Sequence, residues 1–133
     1  MKVYFDHNAT TPVRPEVLDA MLPFLRERFG NASSIHAFGQ EANKAVQEAR
    51  ERVAALIRAD PSEILFLSGG TEADNLAVLG AMEARASKGS HLITSAVEHP
   101  AVLEVCRHAE RKGAALTVLP VDGHGLVDPE AVR

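Results

Sequence analysis

The stretch Ile64-Leu65-Phe66-Leu67-Ser68-Gly69-Gly70-Thr71-Glu72-Ala73-Asp74-Asn75 decides how this chain reads. Its apolar run predicts a short buried strand, and the residues from Thr71 onward predict a helix. A Gly-Gly-Thr turn at such a junction aims backbone N–H groups and a hydroxyl at one spot. The helix dipole favours negative charge at the same place, so the chemistry suits a phosphate. The Gly-Lys-Ser/Thr of a nucleotide-triphosphate loop does not follow, and the three-glycine dinucleotide spacing is absent. Taken alone, the turn is equally an ordinary strand-to-helix connection. Glu72, Asp74 and Asn75 then serve as first-turn residues complementing the helix dipole.

Downstream, the chain keeps alternating. Lys88-Gly89-Ser90 reads as a turn, His91–Ser95 as a strand, Pro100 as a helix start that Gly113 closes, and Ala115–Leu119 as a further strand. Strands alternating with helices predict an α/β fold, with a mostly parallel sheet flanked by helices. Upstream, Lys2–Phe5 reads as a short strand before a polar turn that ends at Pro12. Pro15 opens a helix whose face is Leu18, Met21, Leu22, Leu25 and Phe29, with Pro23 expected to kink it and Gly30 to end it. After the loop Gly30–Ser34, a longer helix is expected from about Gln40 to Ala59, stopped by Asp60-Pro61. Its expected inward face is Ala42, Ala45, Val46, Ala49, Val53, Leu56 and Ile57. Asp128-Pro129-Glu130 announces one more helix, and Arg133 comes before two turns of it, so the sequence is read as truncated.

The 133 residues are 46% hydrophobic and 24% charged, with net charge -4 and no basic run. That balance argues against nucleic acid or an anionic membrane as partner. A single cysteine, Cys106, excludes an internal disulfide and a cysteine-based metal cluster within one chain. No apolar stretch reaches the roughly 20 residues of a membrane span and no signal-peptide pattern opens the chain, so the cytoplasm is the expected compartment.

Glu98-His99-Pro100 lies just past the His91–Ser95 strand. In open α/β sheets the functional crevice lies beyond the carboxyl ends of the strands, which is also where the Gly-Gly-Thr turn falls. His99 is therefore a candidate neighbour of Thr71, suited to stacking on a flat ligand and to passing a proton. The competing reading is a helix cap. His7, His36 and His99 match no zinc spacing, and no metal site is expected. Cys106 falls mid-helix and reads as a small buried hydrophobe rather than a nucleophile. The charges from Gln47 to Arg52 read as a solvated face with a Glu48–Arg52 pair.

Four separated segments, in order and in register, resemble one family. They are Tyr4-Phe5-Asp6-His7-Asn8-Ala9-Thr10-Thr11-Pro12, Gly30-Asn31-Ala32-Ser33-Ser34-Ile35-His36, Ser68–Asn75 and Glu98-His99-Pro100-Ala101-Val102. Together they resemble the start of a NifS/IscS-type cysteine desulfurase, of the class V aminotransferase group with the fold type I architecture that binds pyridoxal 5′-phosphate (PLP). The resemblance implies that residues 15–133 form the N-terminal part of the PLP-binding large domain. Residues 1–14 would be a segment of the small domain and active-site border.

By the same resemblance, Gly70 and Thr71 bind the cofactor phosphate. His99 stacks on the cofactor ring and assists catalysis, while Asn8, Asn31 and His36 border the substrate pocket. It further implies L-cysteine as substrate, alanine and an enzyme persulfide as products, a sulfur-acceptor or iron–sulfur scaffold partner, and a homodimer. The family holds PLP on a lysine of a Ser-x-His-Lys-type motif. The lysines here are Lys2, Lys44, Lys88 and Lys112, and none follows a histidine. The chain thus resembles about the first third of such an enzyme and is expected to be inactive alone. Selenocysteine lyase or another class V aminotransferase is the neighbouring reading. A non-catalytic module, or half of a split enzyme, is the alternative of another class.

Overall fold

The computed structural model describes residues 1–132, which hold helices and a small parallel sheet. The chain divides between Leu65 and Phe66 into two compact units.

In the first unit, α1 (Pro15–Arg26) starts as the proline predicts, with extended Arg14 before it and Glu16 in its first turn. The Pro23 carbonyl accepts the amides of Glu27 and Arg28, each at 2.9 Å, so helical bonding continues past that proline. Helix α2 (Ala37–Ile57) begins ahead of the expected Gln40, because His36 caps it through Nδ1, which accepts the Gly39 N–H at 3.4 Å. Arg58, at φ 57°, closes α2 with its amide on the Ala54 and Ala55 carbonyls. A capping box then follows. Asp60 accepts the Ser62 amide at 2.8 Å, and Glu63 accepts the Asp60 amide at 2.8 Å. Lys44 is the partner of Glu48, at 3.9 Å, in place of the expected Arg52.

Several expectations for this unit fail for one reason. Leu18, Met21, Leu25 and Phe29 of the α1 face are exposed. On the α2 face Ala42 and Ala54 are buried, but Val46, Val53, Leu56 and Ile57 are exposed. Periodicity names the apolar side of a helix; only a neighbouring element can cover it. Lys2–Phe5 forms no strand, and neither does Ile64–Leu67. Ile64 is buried and extended, its carbonyl held by the Arg50 guanidinium, whereas Leu65, Phe66 and Leu67 are exposed. A strand exists only within a ladder, and the sheet of the described residues is made of His91–Ser95 and Ala115–Leu119 alone.

The second unit follows the predicted alternation closely. Helix α3 (Gly70–Ala84) is followed by a 3₁₀ turn at Ala86–Lys88 and then β1 (His91–Ser95). Next come α4 (Pro100–Arg111) and β2 (Ala115–Leu119). The strands are parallel, in register from His91↔Ala115 to Ser95↔Leu119. Gly89 and Gly113 sit at φ +134° and +103° just before the two strands, a left-handed backbone that other residues rarely adopt. Helix α4 packs on both strands and on α3. Its Val105, Cys106 and Ala109 are buried together with Leu119, as an i, i+1, i+4 stripe requires. Beyond β2, the Asp122 carboxylate accepts the amides of His124 at 2.8 Å and Leu126 at 2.9 Å. Asp128 then accepts the Glu130 amide at 2.9 Å and opens the short 3₁₀ turn Pro129–Val132. No helix of the described residues is long and apolar enough to cross a membrane.

Candidate functional site

Chain order fixes where the second unit gathers its functional groups. The short stretch 85–90 joins the end of α3 to the start of β1, and α4 begins soon after β1 ends. Helix α3 packs against α4, and α4 in turn packs against β1 and β2. Gly70 and Thr71 open α3, and His99 caps α4.

The α3 start is bare. Gly69 is its N-cap in extended conformation, with no side-chain cap. The first helical hydrogen bond runs from the Ala73 amide to the Gly69 carbonyl at 3.1 Å, so the amides of Gly70, Thr71 and Glu72 precede it. These amides and the Thr71 hydroxyl have no hydrogen-bond partner among the described residues. A Cβ placed on Gly69 or Gly70 would meet no atom within 4 Å, so the space before the amides is open.

The only carboxylate in this first turn is turned back along the chain. Glu72 accepts the Ser68 amide at 2.7 Å and the Ser68 hydroxyl at 2.8 Å. Those bonds, the backbone one foremost, hold its carboxyl below the ordinary range. Asn75 donates to the Thr71 carbonyl at 2.8 Å, tying down the other side of the turn. The donor set left over is three amides and a hydroxyl at a positive dipole end, which fits the oxygens of a phosphate.

His99 holds the cap position that the competing reading assigned to it. Its Nδ1 accepts the Ala101 amide at 3.1 Å, across Pro100, which has no N–H of its own. Its carbonyl accepts the Val102 amide at 2.9 Å. The capping role and a ligand-facing role use different edges of the ring, so the first does not consume the second.

The remaining sequence-derived candidates belong to the first unit. Asn31 forms a local turn: its Oδ1 accepts the Ser33 amide and its carbonyl the Ser34 amide, both at 2.9 Å. Asn43 donates to the Ala32 carbonyl at 3.2 Å and Gln40 to the Ile35 carbonyl at 2.9 Å, clamping the 31–35 loop onto α2. His36 caps α2 and meets the Phe38 ring edge-on at 6.3 Å. Asn8 is exposed in a turn where the Asp6 carbonyl accepts the Ala9 amide at 3.1 Å.

Gly30 was read from the sequence only as the end of the first helix, which stops earlier, at Arg26, and Gly39 was not singled out. A Cβ on Gly39 would overlap the Ser34 carbonyl, and one on Gly30 the Phe38 carbonyl. The available signal was weak: a glycine inside a helix is costly unless something packs against it.

Cys106 is buried in α4, where burial pushes its thiol up against the opposing hydrogen bond to Thr94. Among the described residues no group of three or more His, Cys, Asp or Glu is placed to hold a metal.

The aminotransferase class-V family profile matches residues 3–133. Cysteine desulfurase IscS of Dictyoglomus turgidum is 54% identical over 132 residues, covering 99% of this chain and 34% of the relative. A solved structure described as a NifS-like protein superposes with TM-score 0.91 at 42% identity, covering 98% of this chain and 36% of that one. Another, described as SspA in complex with cysteine, gives TM-score 0.88 at 40% identity, covering 97% of this chain and 37% of that one. The chain belongs to the class V aminotransferase family, with an α/β fold matching NifS-like structures. Members of this family depend on PLP. The chain spans about a third of the length of the relatives it matches.

Proposed function

We propose that this chain is the N-terminal third of a PLP-dependent cysteine desulfurase, which converts L-cysteine to alanine and an enzyme persulfide. The observation that carries the reading is the uncapped start of α3, whose free amides and Thr71 hydroxyl fit a phosphate. The 54% identity to a cysteine desulfurase IscS supports the choice among PLP chemistries.

Gly70 and Thr71 would hold the cofactor phosphate through their amides and the Thr71 hydroxyl, aided by the α3 dipole. When bound, PLP supplies the electron sink for charge left at the substrate α-carbon. His99 would stack on the cofactor ring and assist proton transfer, with its Nδ1 capping α4. Asn8, Asn31 and His36 would form the pocket border. The sulfur acceptor is a cysteine other than Cys106, since a buried thiol pushed upward is a poor nucleophile. A homodimer, a cytoplasmic setting and a sulfur-accepting or iron–sulfur scaffold partner complete the proposal.

The test uses the full-length enzyme, read by PLP absorbance and by alanine and persulfide formation from L-cysteine. Thr71→Ala and His99→Ala are each expected to lower cofactor retention or turnover by at least about tenfold. Unchanged retention and rate in both variants would overturn the site. Transamination without sulfur release, or sole activity on selenocysteine, would redirect the reading to a sister enzyme.

A further inference from the structure

Residues 29–36 join α1 to α2, and no apolar core fixes their ends. Helix α1 buries none of its side chains, and α1 and α2 share no extended contact. Arg28 ties the two helices instead. Its guanidinium lies over the Phe24 ring of α1, 4.6 Å from the centroid, and its Nε donates to Glu41 Oε1 of α2 at 2.6 Å. An exposed ion pair alone is worth little. Here one planar group is stacked and hydrogen-bonded at once, a geometry lysine cannot copy. Farther along the segment, Asn43 and Gln40 of α2 hold the Ala32 and Ile35 carbonyls. The close approaches at Gly30 and Gly39 leave the segment no room to slide along the helix.

We infer that Arg28 and Asn43 hold residues 30–36 as one pre-formed rim on α2, with Asn31 and His36 in place before any ligand arrives. Both are thereby positioning residues, acting through the rim. Arg28 makes no hydrogen bond to residues 30–36, so its effect on them passes through the helix ends it ties together. The rigidity of the rim stands on these contacts alone. Its consequence for substrate rests on the reading proposed above, which puts Asn31 and His36 at the pocket border. A rim that opens lowers the fraction of protein competent to bind, which raises KM. It leaves kcat unchanged, because saturating substrate restores the closed form.

The experiment is amide hydrogen exchange of the full-length enzyme without substrate, read at Ser33 and Ser34, whose amides bond to Asn31. Arg28→Ala and Asn43→Ala are each expected to speed exchange there about fivefold, and the double variant about twenty-five-fold. Unchanged exchange in Arg28→Ala overturns the inference. Arg28→Lys keeps the charge but loses the stacked fork, and should match Arg28→Ala within about twofold. Full protection with lysine would reduce Arg28 to a point charge and overturn the clasp.

Kinetics with L-cysteine then separate the rim from the pocket. In the double variant KM is expected to rise at least about fivefold with kcat within about twofold of the parent. A fall in kcat at unchanged KM overturns the positioning role. Fast exchange with both constants unchanged supports the clasp and overturns the placing of Asn31 and His36 at the pocket border.

Discussion

At the scale of single residues, Glu72 links local chemistry to pH. Its folded-state carboxyl lies below the ordinary value of 4.5, through its bonds to the Ser68 amide and hydroxyl. A carboxyl lowered on folding contributes stability that is fully present above its ordinary value and is lost as pH falls through the folded one. The stability difference between the parent and Glu72→Gln should therefore be constant above 4.5 and shrink on acidification below it. Chemical denaturation across that range measures it, and a difference growing toward acid pH would contradict the assignment. Asp60, lowered first by the Ser62 hydroxyl and then its amide, should behave with the same sign.

Cys106 makes the opposite kind of claim. Buried at 4% exposure and packed with Val105 and Ala109, it contributes volume rather than chemistry. Cys106→Ala in the full-length enzyme should leave sulfur transfer within about twofold while costing roughly 1 kcal/mol of stability through the small cavity left behind. Loss of persulfide formation in that variant would show the residue to be part of the chemistry.

At the scale of elements, the tight seam is where the 31–35 loop crosses α2. Gly39 is buried against the Ser34 backbone, and an added methyl has no room there. Gly39→Ala should destabilise by about 1–3 kcal/mol, as overpacking does, despite the better helix propensity of alanine. Urea midpoints of parent and variant decide it, and a stabilised variant would mean the loop is not clamped as described.

What was legible at this scale was what short-range chemistry dictates. Pro15, Pro100 and Pro129 mark first helical positions correctly, and both parallel strands lie where the apolar runs and glycine turns put them. The α2 start was misplaced because histidine is an unusual cap, and the Gly39 seam was missed because it depends on residues brought together only by folding. Ile64–Leu67 was read as a strand on composition, but pairing is a property of two segments and cannot be written into one. For the candidate site, what was legible was position: the turn glycines put Gly70 and Thr71 at the start of α3, and Pro100 puts His99 at the cap of α4. The contact of His99 Nδ1 with the Ala101 amide was not, since it depends on side-chain orientation.

At the scale of the whole molecule, uncovered apolar surface dominates. The chain exposes 10815 Å², whereas two separately compact bodies of half its mass would together expose roughly 8,200 Å². Helix α1 contributes no buried residue at all. The 133-residue polypeptide expressed alone should bind the dye ANS and associate without a defined size, whereas the proposed full-length protein should leave the dye dark and stop at a dimer. Sedimentation and dye fluorescence check this; a monomer that leaves the dye dark would mean these faces need no cover.

The exposed run from Leu65 to Leu67 has a consequence in time rather than space. Its three large apolar side chains face solvent in this structure, which leaves apolar surface for another segment to cover. In a protein of the length of the relatives, as proposed above, residues beyond this chain would leave the ribosome on the order of ten seconds later or more. Through that interval the uncovered run would be open to aggregation, for a time set by the order of synthesis rather than by the fold.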